Sequence, residues 1–192
     1  MVFPGGGYQI LAIDLEGTEV CDWLTSRGIT CVLLKYRVPK VGPSWNQPCG
    51  CDRKTGASMP LEDAQRTVGL VRFHAAEWHI DPRKIGVLGF SAGGHLVAAV
   101  STHCDARVYP AVDAADRESC RPDFAVALSD NVDDMRNSLV YYIALKNAGV
   151  PAELHLYAEG GHAFGLRRTE RPITAWPRLV ETWLKTIGMI SD

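Results

Sequence analysis

An α/β fold with a mostly parallel sheet is the architecture that the sequence predicts. Short apolar runs bounded by Gly, Pro or Asp are typical of buried strands. Such runs alternate along the chain with longer amphipathic segments; they are Thr30–Tyr36, Lys84–Phe90, Asp123–Leu128 and Ala152–Tyr157. This alternation favours a sheet of about five strands covered by helices on both faces.

The helical segments have recognisable starts and ends. The stretch Pro60–His79 places Pro in its first turn, where the missing N–H costs nothing, and spaces its apolar residues three and four apart. The stretch Glu16–Arg27 stops before Gly28, a residue typical of helix ends. Three further helices are predicted over Ser91–His103, Asp134–Ala148 and Ile173–Ile187.

Composition indicates a globular protein without an obvious polyanionic partner. The chain has 192 residues, of which 46% are apolar and 22% charged, and we expect one domain over residues 1–192. The net charge of −2 gives no excess of positive charge to attract nucleic acid or an anionic membrane, so neither is expected as a partner. The segment Met1–Gly7 has no signal-peptide pattern, so we expect a cytoplasmic protein, with secretion left open.

Six cysteines are present, and their spacing matches no zinc pattern. We therefore expect no metal, and nothing in the sequence indicates a cofactor. Cys21 and Cys31 lie in apolar helix and strand patterns and are predicted to be small core residues. A disulfide between Cys104 and Cys120 stays open. A redox role for the C-x-C at residues 49–51 is disfavoured because no activating helix adjoins it.

The segment Gly89–Gly93 carries the strongest chemical signal. It reads G-F-S-A-G, follows a predicted strand directly and opens a predicted helix, which is the setting of a nucleophile elbow. Such a turn lifts the Ser91 hydroxyl above the sheet edge. It also aims the Ala92 N–H and the helix N-terminus at a developing oxyanion. We predict that Ser91 is a nucleophile.

The segment Pro4–Tyr8 reads P-G-G-G-Y and follows a short apolar start. Acyl transfer needs backbone N–H groups aimed at the reacting carbonyl oxygen, and glycines allow that close approach. The spacings of phosphate-binding loops, G-x-x-x-x-G-K-[ST] or G-x-G-x-x-G after a strand, do not occur here. Together with the elbow, this segment indicates an oxyanion-stabilising loop.

His162 is the candidate base. It lies in the segment G-G-H-A-F-G, which follows a predicted strand, and serine at its free pKa needs such a base. The other histidines lie on or at the ends of predicted helices or within a strand, where packed or surface roles are usual. They are His74, His79, His95, His103 and His155.

An acid that orients the imidazole is expected between Ser91 and His162, because the chain order in this architecture is nucleophile, acid, base. The third strand-like run leads into several aspartates. Asp130 is the first past the strand and is favoured. Asp133 is the alternative, although its place also suits the start of a helix.

The connection Arg37–Met59 is long and rich in Pro and Gly. It leaves a predicted strand at the carboxyl edge of the sheet, where ligands bind in parallel sheets. A functional loop and a solvated insertion are both open.

Several motifs occur together in one order and resemble the bacterial α/β-hydrolase esterases. The closest group is the hormone-sensitive-lipase-like and acetyl-xylan or feruloyl-esterase-like enzymes. The segments that carry the resemblance are VFPGGGY, IDPRKIGVLGFSAGGHLVA, RPDFAVAL, NSLVYYIALKNAGVPAELHLYAEGGHAFGL and WPRLVETWLKTIG. The resemblance covers nearly the whole chain except the connection Arg37–Met59, and it implies a compact α/β-hydrolase fold.

The resemblance also implies roles for individual residues. It implies a catalytic triad of Ser91, Asp130 and His162, and the distance from Asp130 to the segment N-S-L at residues 137–139 matches the family's spacing. The oxyanion-hole donors that it implies are the N–H groups of Gly6, Gly7 and Ala92.

The chain departs from the family pattern in two ways. Pro4 stands where a histidine often opens the oxyanion element, which marks a subtype. The sequence is also shorter than the family pattern before the glycine loop and before the acid, so we expect the first antiparallel strands, and one strand with its connection before Asp130, to be absent. Thr30–Tyr36 would then form an edge of the sheet and need cover, so we expect a homodimer or a loop packed on that edge.

The reading that unites these features is a serine carboxylic-ester hydrolase with a small-molecule ester substrate. The compact scaffold without an obvious lid favours short acyl chains, and acetylated or feruloylated sugars are implied by the resemblance alone. Two alternatives stay open: a serine peptidase of the same fold, and a catalytically impaired binding or interaction protein.

Overall fold

The computed structural model describes residues 1–38, 59–128 and 135–191. The chain divides into two compact units, Met1–Leu128 and Ser129–Asp192. The single domain expected over residues 1–192 stays a prediction.

A parallel sheet organises the first unit. Its strands are β1 (Val2–Phe3), β2 (Gly86–Phe90) and β3 (Phe124–Leu128), in the order β1-β2-β3. Leu88 at the centre of β2 lies opposite Val2 on one side and Val126 on the other, and both pairings are parallel. All five residues of β2 are buried, as its unbroken apolar run predicts for a central strand. The α/β class is therefore confirmed.

The segment Thr30–Tyr36 joins this sheet only at one point. Leu33 forms an isolated parallel bridge with Val2, where Val2 N–H donates to Val32 O and Leu34 N–H donates to Val2 O. Because β1 is two residues long, the ladder ends there. Among the described residues, no strand pairs with the outer side of this segment, so it lies at the sheet edge. The homodimer expected on that edge stays a prediction.

The strand predicted over Ala152–Tyr157 is not formed. Within the described part of the chain, no backbone hydrogen bond joins this segment to a neighbouring strand. An apolar run favours extended chain, but a strand also needs a partner for its backbone N–H and C=O groups. The described residues thus hold three strands and one bridge, rather than the predicted five or so.

Helices of the first unit pack beside the sheet. They are α1 (Glu19–Ser26), α2 (Met59–Phe73) and α3 (Ala92–Thr102), and a π-helical turn at Asp14–Thr18 precedes α1. α3 lies against all three strands and also contacts α2. The predicted helix over Pro60–His79 ends at Phe73, beyond which the chain continues in hydrogen-bonded turns. The core cluster is Phe3, Tyr36, Leu61, Ala64, Val68, Val71, Ile85, Val87, Leu96, Val97 and Val100.

The described part of the second unit, residues 135–191, contains two α-helices, α4 (Met135–Asn147) and α5 (Trp176–Thr186), the latter after a 3₁₀ turn at Pro172–Ala175. Their positions agree with the predicted helices. In the described ranges, no helix has both the length and the apolar character that crossing a bilayer requires. The cytoplasmic location stays a prediction. Most of the connection Arg37–Met59, residues 39–58, lies outside the described residues.

The cysteines differ from expectation. Cys21 and Cys31 form a disulfide and are half-buried, so their assignment as core residues is wrong. α1 and the edge segment run close enough to bring their Cα atoms within 5.3 Å, a usual separation for a bridge. Cys104 and Cys120 are free, and the Cys120 thiol donates to the backbone oxygen of Cys104 at 3.3 Å. The C-x-C at residues 49–51 lies outside the described residues.

Candidate active site

Ser91 occupies a strained turn between the end of β2 and the start of α3. Its backbone angles are φ 50° and ψ −119°, a region that non-glycine residues rarely adopt. The turn is held on both sides: Ser91 N–H donates to Leu128 O of β3 at 2.8 Å, and Ser91 O accepts from His95 N–H at 3.0 Å. This strand–turn–helix geometry is the context that the sequence pattern requires for a nucleophile elbow.

Close packing explains the glycines that stand two positions before and two positions after the serine. A Cβ on Gly93 would lie 2.0 Å from the backbone oxygen of Phe3, and one on Gly89 would lie 2.3 Å from Gly93 O. These distances leave no room for a side chain, so α3 can approach β1 and β2 only with glycine at both positions. The elbow therefore lies directly against the chain that leads into the glycine loop.

The segment Gly5–Tyr8 follows β1 and forms a compact loop. Gly6 O accepts from the N–H groups of Gln9 and Ile10, at 3.0 and 3.1 Å. Gly6, Gly7 and Tyr8 all have positive φ angles. A Cβ on Gly5 would lie 3.2 Å from the Cβ of Ser91. The structure thus brings the predicted oxyanion loop beside the predicted nucleophile.

Tyr8 extends this loop to the first turn of α3. Its hydroxyl shares a hydrogen bond of 2.8 Å with His95 Nδ1, and the two rings meet edge to face. Tyr8 also packs edge to face on Tyr36. The sequence interpretation assigned His95 no role, and the structure places it next to the site.

Glu16 and Tyr36 are residues of this region that sequence reasoning missed. The buried Glu16 carboxylate accepts from Gly5 N–H at 2.9 Å, and the buried Tyr36 hydroxyl donates to Pro4 O at 2.6 Å. A signal for Glu16 was present: it precedes Val20 by four residues and Leu24 by eight, and both are buried. A carboxylate on the apolar stripe of a helix calls for a specific partner.

His162 lies on an exposed loop of the second unit. Gly161 and Ala163 on either side of it both have positive φ, of 77° and 53°. The loop is anchored where the buried indole N–H of Trp176 donates to Gly165 O at 2.8 Å. The candidate acid Asp130 and its alternative Asp133 lie outside the described residues.

Elsewhere in the described residues, neither a metal site nor the cavity beside Arg72 competes with the Ser91 region. No group of three His, Cys, Asp or Glu side chains in residues 1–38, 59–128 and 135–191 is arranged to hold a metal ion. A cavity of about 780 Å³ is lined by Arg72, Pro82 and Asp123 among others. It adjoins the amino ends of β2 and β3, whereas ligands in parallel sheets bind at the carboxyl ends, where Ser91 lies.

Known proteins with similar sequences include esterases. The BD-FAE family profile matches residues 51–137. An acetylxylan esterase of Xylanibacter ruminicola is 27% identical over 96% of this chain. The chain spans 44% of that protein, which is less than half of its length.

Solved structures extend the similarity to almost the whole chain. An α/β hydrolase from a Medee basin deep-sea metagenome library matches with a TM-score of 0.70 and 27% identity, over 96% of this chain and 82% of the other. An acetyl ester-xyloside bifunctional hydrolase from Caldicellulosiruptor lactoaceticus matches with a TM-score of 0.82 and 34% identity, over 99% of this chain and 83% of the other. The α/β-hydrolase fold is thereby confirmed. With an elbow of the required geometry and this degree of identity, the chain belongs to the bacterial α/β-hydrolase esterases.

Proposed function

We propose that this chain is a serine carboxylic-ester hydrolase that acts on short-chain acyl esters through an acyl-enzyme. The observation that carries the proposal is the strained Ser91 turn with the glycine loop packed against it. A backbone held at φ 50° persists only where the surrounding structure enforces it, and such strain concentrates at catalytic positions. Membership of the esterase family supports the same chemistry.

In the acylation step, Ser91 Oγ attacks the ester carbonyl carbon while His162 accepts the hydroxyl proton. Asp130 orients the imidazole and stabilises its cation. The tetrahedral oxyanion accepts hydrogen bonds from the N–H groups of Gly6, Gly7 and Ala92. Collapse of this intermediate breaks the ester C–O bond, and the departing alcohol takes the proton from His162.

In the deacylation step, water attacks the acyl group on Ser91 while His162 accepts a proton from it. The same backbone donors stabilise the second oxyanion. Ser91 leaves with the proton from His162, and the free carboxylic acid departs. The positive end of α3 at Ala92 adds favourable electrostatics for both intermediates.

Acetyl esters on xylan-type sugars are the substrate class that we propose. The similar proteins named above act on acetylxylan or on acetyl esters and xylosides by their descriptions. Acetylated xylo-oligosaccharides, feruloylated arabinose esters and acyl-peptides can be compared as substrates at equal concentration. Faster release from acyl-peptides than from the sugar esters would favour the serine peptidase alternative.

The test is hydrolysis of p-nitrophenyl acetate and butyrate by the wild-type protein and by Ser91→Ala. We expect the substitution to lower kcat by about 10³-fold or more, because the nucleophile is lost. Ser101→Ala is the matched control: this serine lies on α3 and its hydroxyl bonds to Val97 O. The control should keep its activity within about twofold of wild type.

A fluorophosphonate probe separates an enzyme from a catalytically impaired binding protein. The proposal requires covalent labelling of the wild-type protein at Ser91 and none of Ser91→Ala. Equal, background-level turnover by both folded proteins, without labelling, would contradict it. Asp130→Asn and Asp133→Asn, assayed side by side, identify the acid by the larger loss of kcat.

A further inference from the structure

The peptide group between Pro4 and Gly5 is hydrogen-bonded at both of its ends. Its carbonyl oxygen accepts from the Tyr36 hydroxyl at 2.6 Å, and its N–H donates to Glu16 Oε2 at 2.9 Å. A peptide group is planar. Fixing its carbonyl and its N–H together therefore fixes the orientation of the whole plane, and with it the direction in which the chain enters Gly6 and Gly7.

Both partners of this peptide are buried. Glu16 is 3% exposed and Tyr36 is 1% exposed. A carboxylate away from water is costly unless hydrogen bonds compensate it, and a bond to an ionised acceptor is stronger than a neutral one. Burial first, and the negative charge of Glu16 second, raise the pKa of Tyr36 well above its usual range. The phenol therefore keeps its proton and remains a donor to Pro4.

Gly5 fills the space between the Glu16 carboxylate and the elbow. A Cβ placed on it would lie 2.4 Å from Glu16 Oε2, 2.9 Å from Phe90 O and 3.2 Å from the Cβ of Ser91. A rotation of the Pro4–Gly5 peptide would thus carry the glycine loop toward or away from the serine. Glu16 and Tyr36, which hold this peptide between them, are called the clamp below. The clamp acts on the residue of the loop whose added Cβ would lie against the Ser91 side chain.

We propose that Glu16 and Tyr36 are positioning residues of the oxyanion hole, which act by holding the Pro4–Gly5 peptide between them. The inference rests on the proposed function, because it takes the Gly6 and Gly7 N–H groups as oxyanion donors. It goes beyond the proposed function by assigning a role to two buried side chains that bind the loop backbone rather than supply an oxyanion donor. They act by positioning the N–H donors. A donor displaced from the oxyanion loses most of the stabilisation that it gives to the transition state.

The first experiment compares Glu16→Ala, Glu16→Gln and Tyr36→Phe in p-nitrophenyl acetate hydrolysis. Gln keeps an acceptor oxygen for Gly5 N–H but removes the charge. We expect Glu16→Ala and Tyr36→Phe to lower kcat by about 10- to 100-fold with KM changed by less than about threefold, and Glu16→Gln to retain most of kcat. Glu77→Gln and Tyr142→Phe, which lie on other segments, are the matched controls.

Two kinetic results would overturn the inference. One is retention of kcat within about twofold by all folded variants. The other is a loss in Glu16→Gln as large as in Glu16→Ala, because the charge rather than the hydrogen bond would then be responsible.

A second measurement does not depend on turnover. Amide hydrogen exchange of Gly5, Gly6 and Gly7, followed by NMR, should become about 10-fold faster or more in Glu16→Ala and Tyr36→Phe, while the amides of α3 keep their protection. If the wild-type protein shows no Ser91-dependent turnover, the proposed function fails, and exchange alone decides whether the clamp holds the loop. Unchanged exchange at these glycines would overturn the clamp even in an active enzyme.

Discussion

Tyr8 and His95 are joined by a hydrogen bond of 2.8 Å between the tyrosine hydroxyl and His95 Nδ1. This bond links the end of the glycine loop to the first turn of α3. The backbone N–H of His95 in turn donates to Ser91 O. This hydrogen bond is exposed to solvent, although Tyr8 itself is half-buried, whereas the clamp at Glu16 and Tyr36 is buried. Two separate contacts thus fasten the loop, one at each end.

Loss of the Tyr8–His95 bond should weaken the site modestly. Because the hydrogen bond is exposed, a double-mutant cycle with Tyr8→Phe and His95→Ala should give a coupling of about 0.5–1 kcal/mol in urea unfolding. We expect kcat of Tyr8→Phe to fall by about three- to tenfold, since the loop loses one of its anchors. The control cycle pairs Tyr8→Phe with His103→Ala at the far end of α3. A coupling there as large as that with His95 would show that the effect is not local.

Substitution of Trp176 tests the anchor of the His162 loop. Trp176→Phe removes the donor to Gly165 O and leaves that buried carbonyl without it, which should cost about 1–3 kcal/mol of unfolding free energy. A lower kcat should accompany this loss, because the loop that carries His162 would be less well held. Trp78→Phe is the control, since Trp78 is 42% exposed and should change stability by less than about 0.5 kcal/mol. Equal effects of both substitutions would contradict the anchoring role.

The Asp116 carboxylate should make stability depend on pH in the acid range. Burial alone would raise its pKa, but hydrogen bonds from Tyr109, the Val112 N–H and Arg66 outweigh burial and hold the pKa well below its usual range. The stabilisation is therefore fully present above the unfolded pKa of about 4 and is lost as the pH falls toward the folded value.

Asp116→Asn should reveal this contribution in urea unfolding between pH 3 and pH 7, a range chosen around the unfolded pKa of about 4. At neutral pH we expect a loss of about 3 kcal/mol, because the partners of a side chain that is 1% exposed lose their charged acceptor. The difference from wild type should shrink below about pH 4. Asp22→Asn, at an exposed position of α1, is the control and should show neither effect. A pH-independent difference would rule out the titration of Asp116 as its cause.

The Cys21–Cys31 disulfide should stabilise the first unit. It closes a loop with a sequence separation of 10, for which the chain-entropy relation gives about 2–3 kcal/mol. Cys21→Ser/Cys31→Ser should unfold at correspondingly lower urea concentration, and dithiothreitol should lower the stability of wild type to that of the variant. The double variant also serves as the control for the reductant. It has no Cys21–Cys31 bond to reduce, so dithiothreitol should leave its urea midpoint unchanged. An equal effect of dithiothreitol on both proteins would assign the loss to other cysteines.

The elements that the sequence predicts well are those whose signals are local. The G-F-S-A-G elbow combines strand, turn and helix within one short stretch, and Pro60 marks the start of α2 within one residue. The fold class follows from the same alternation of apolar runs. His162 was also singled out by its immediate neighbours, although its role remains part of the proposal.

Features that depend on distant partners were not predictable in this way. Glu16 and Gly5 are 11 positions apart, and Tyr36 and Pro4 are 32 apart, so no local pattern links them. Cys21 and Cys31 were each assigned to an apolar pattern, whereas their pairing depends on how α1 lies beside the edge segment. The apolar run Ala152–Tyr157 predicts extended chain, but whether it pairs depends on a neighbour that its own sequence does not specify.

The hydrogen bond from Ser91 N–H to Leu128 O has a practical meaning for enzyme engineering. The G-F-S-A-G pentapeptide does not satisfy its own backbone, because the Ser91 N–H needs a carbonyl oxygen from another strand, 37 positions further along the chain. Grafting G-F-S-A-G onto a new scaffold would therefore also require a neighbouring parallel strand whose backbone carbonyl can accept from the serine N–H, as Leu128 O does here. It would require the glycine loop against which Ser91 packs as well. The unit that can be moved between scaffolds is therefore a three-segment assembly.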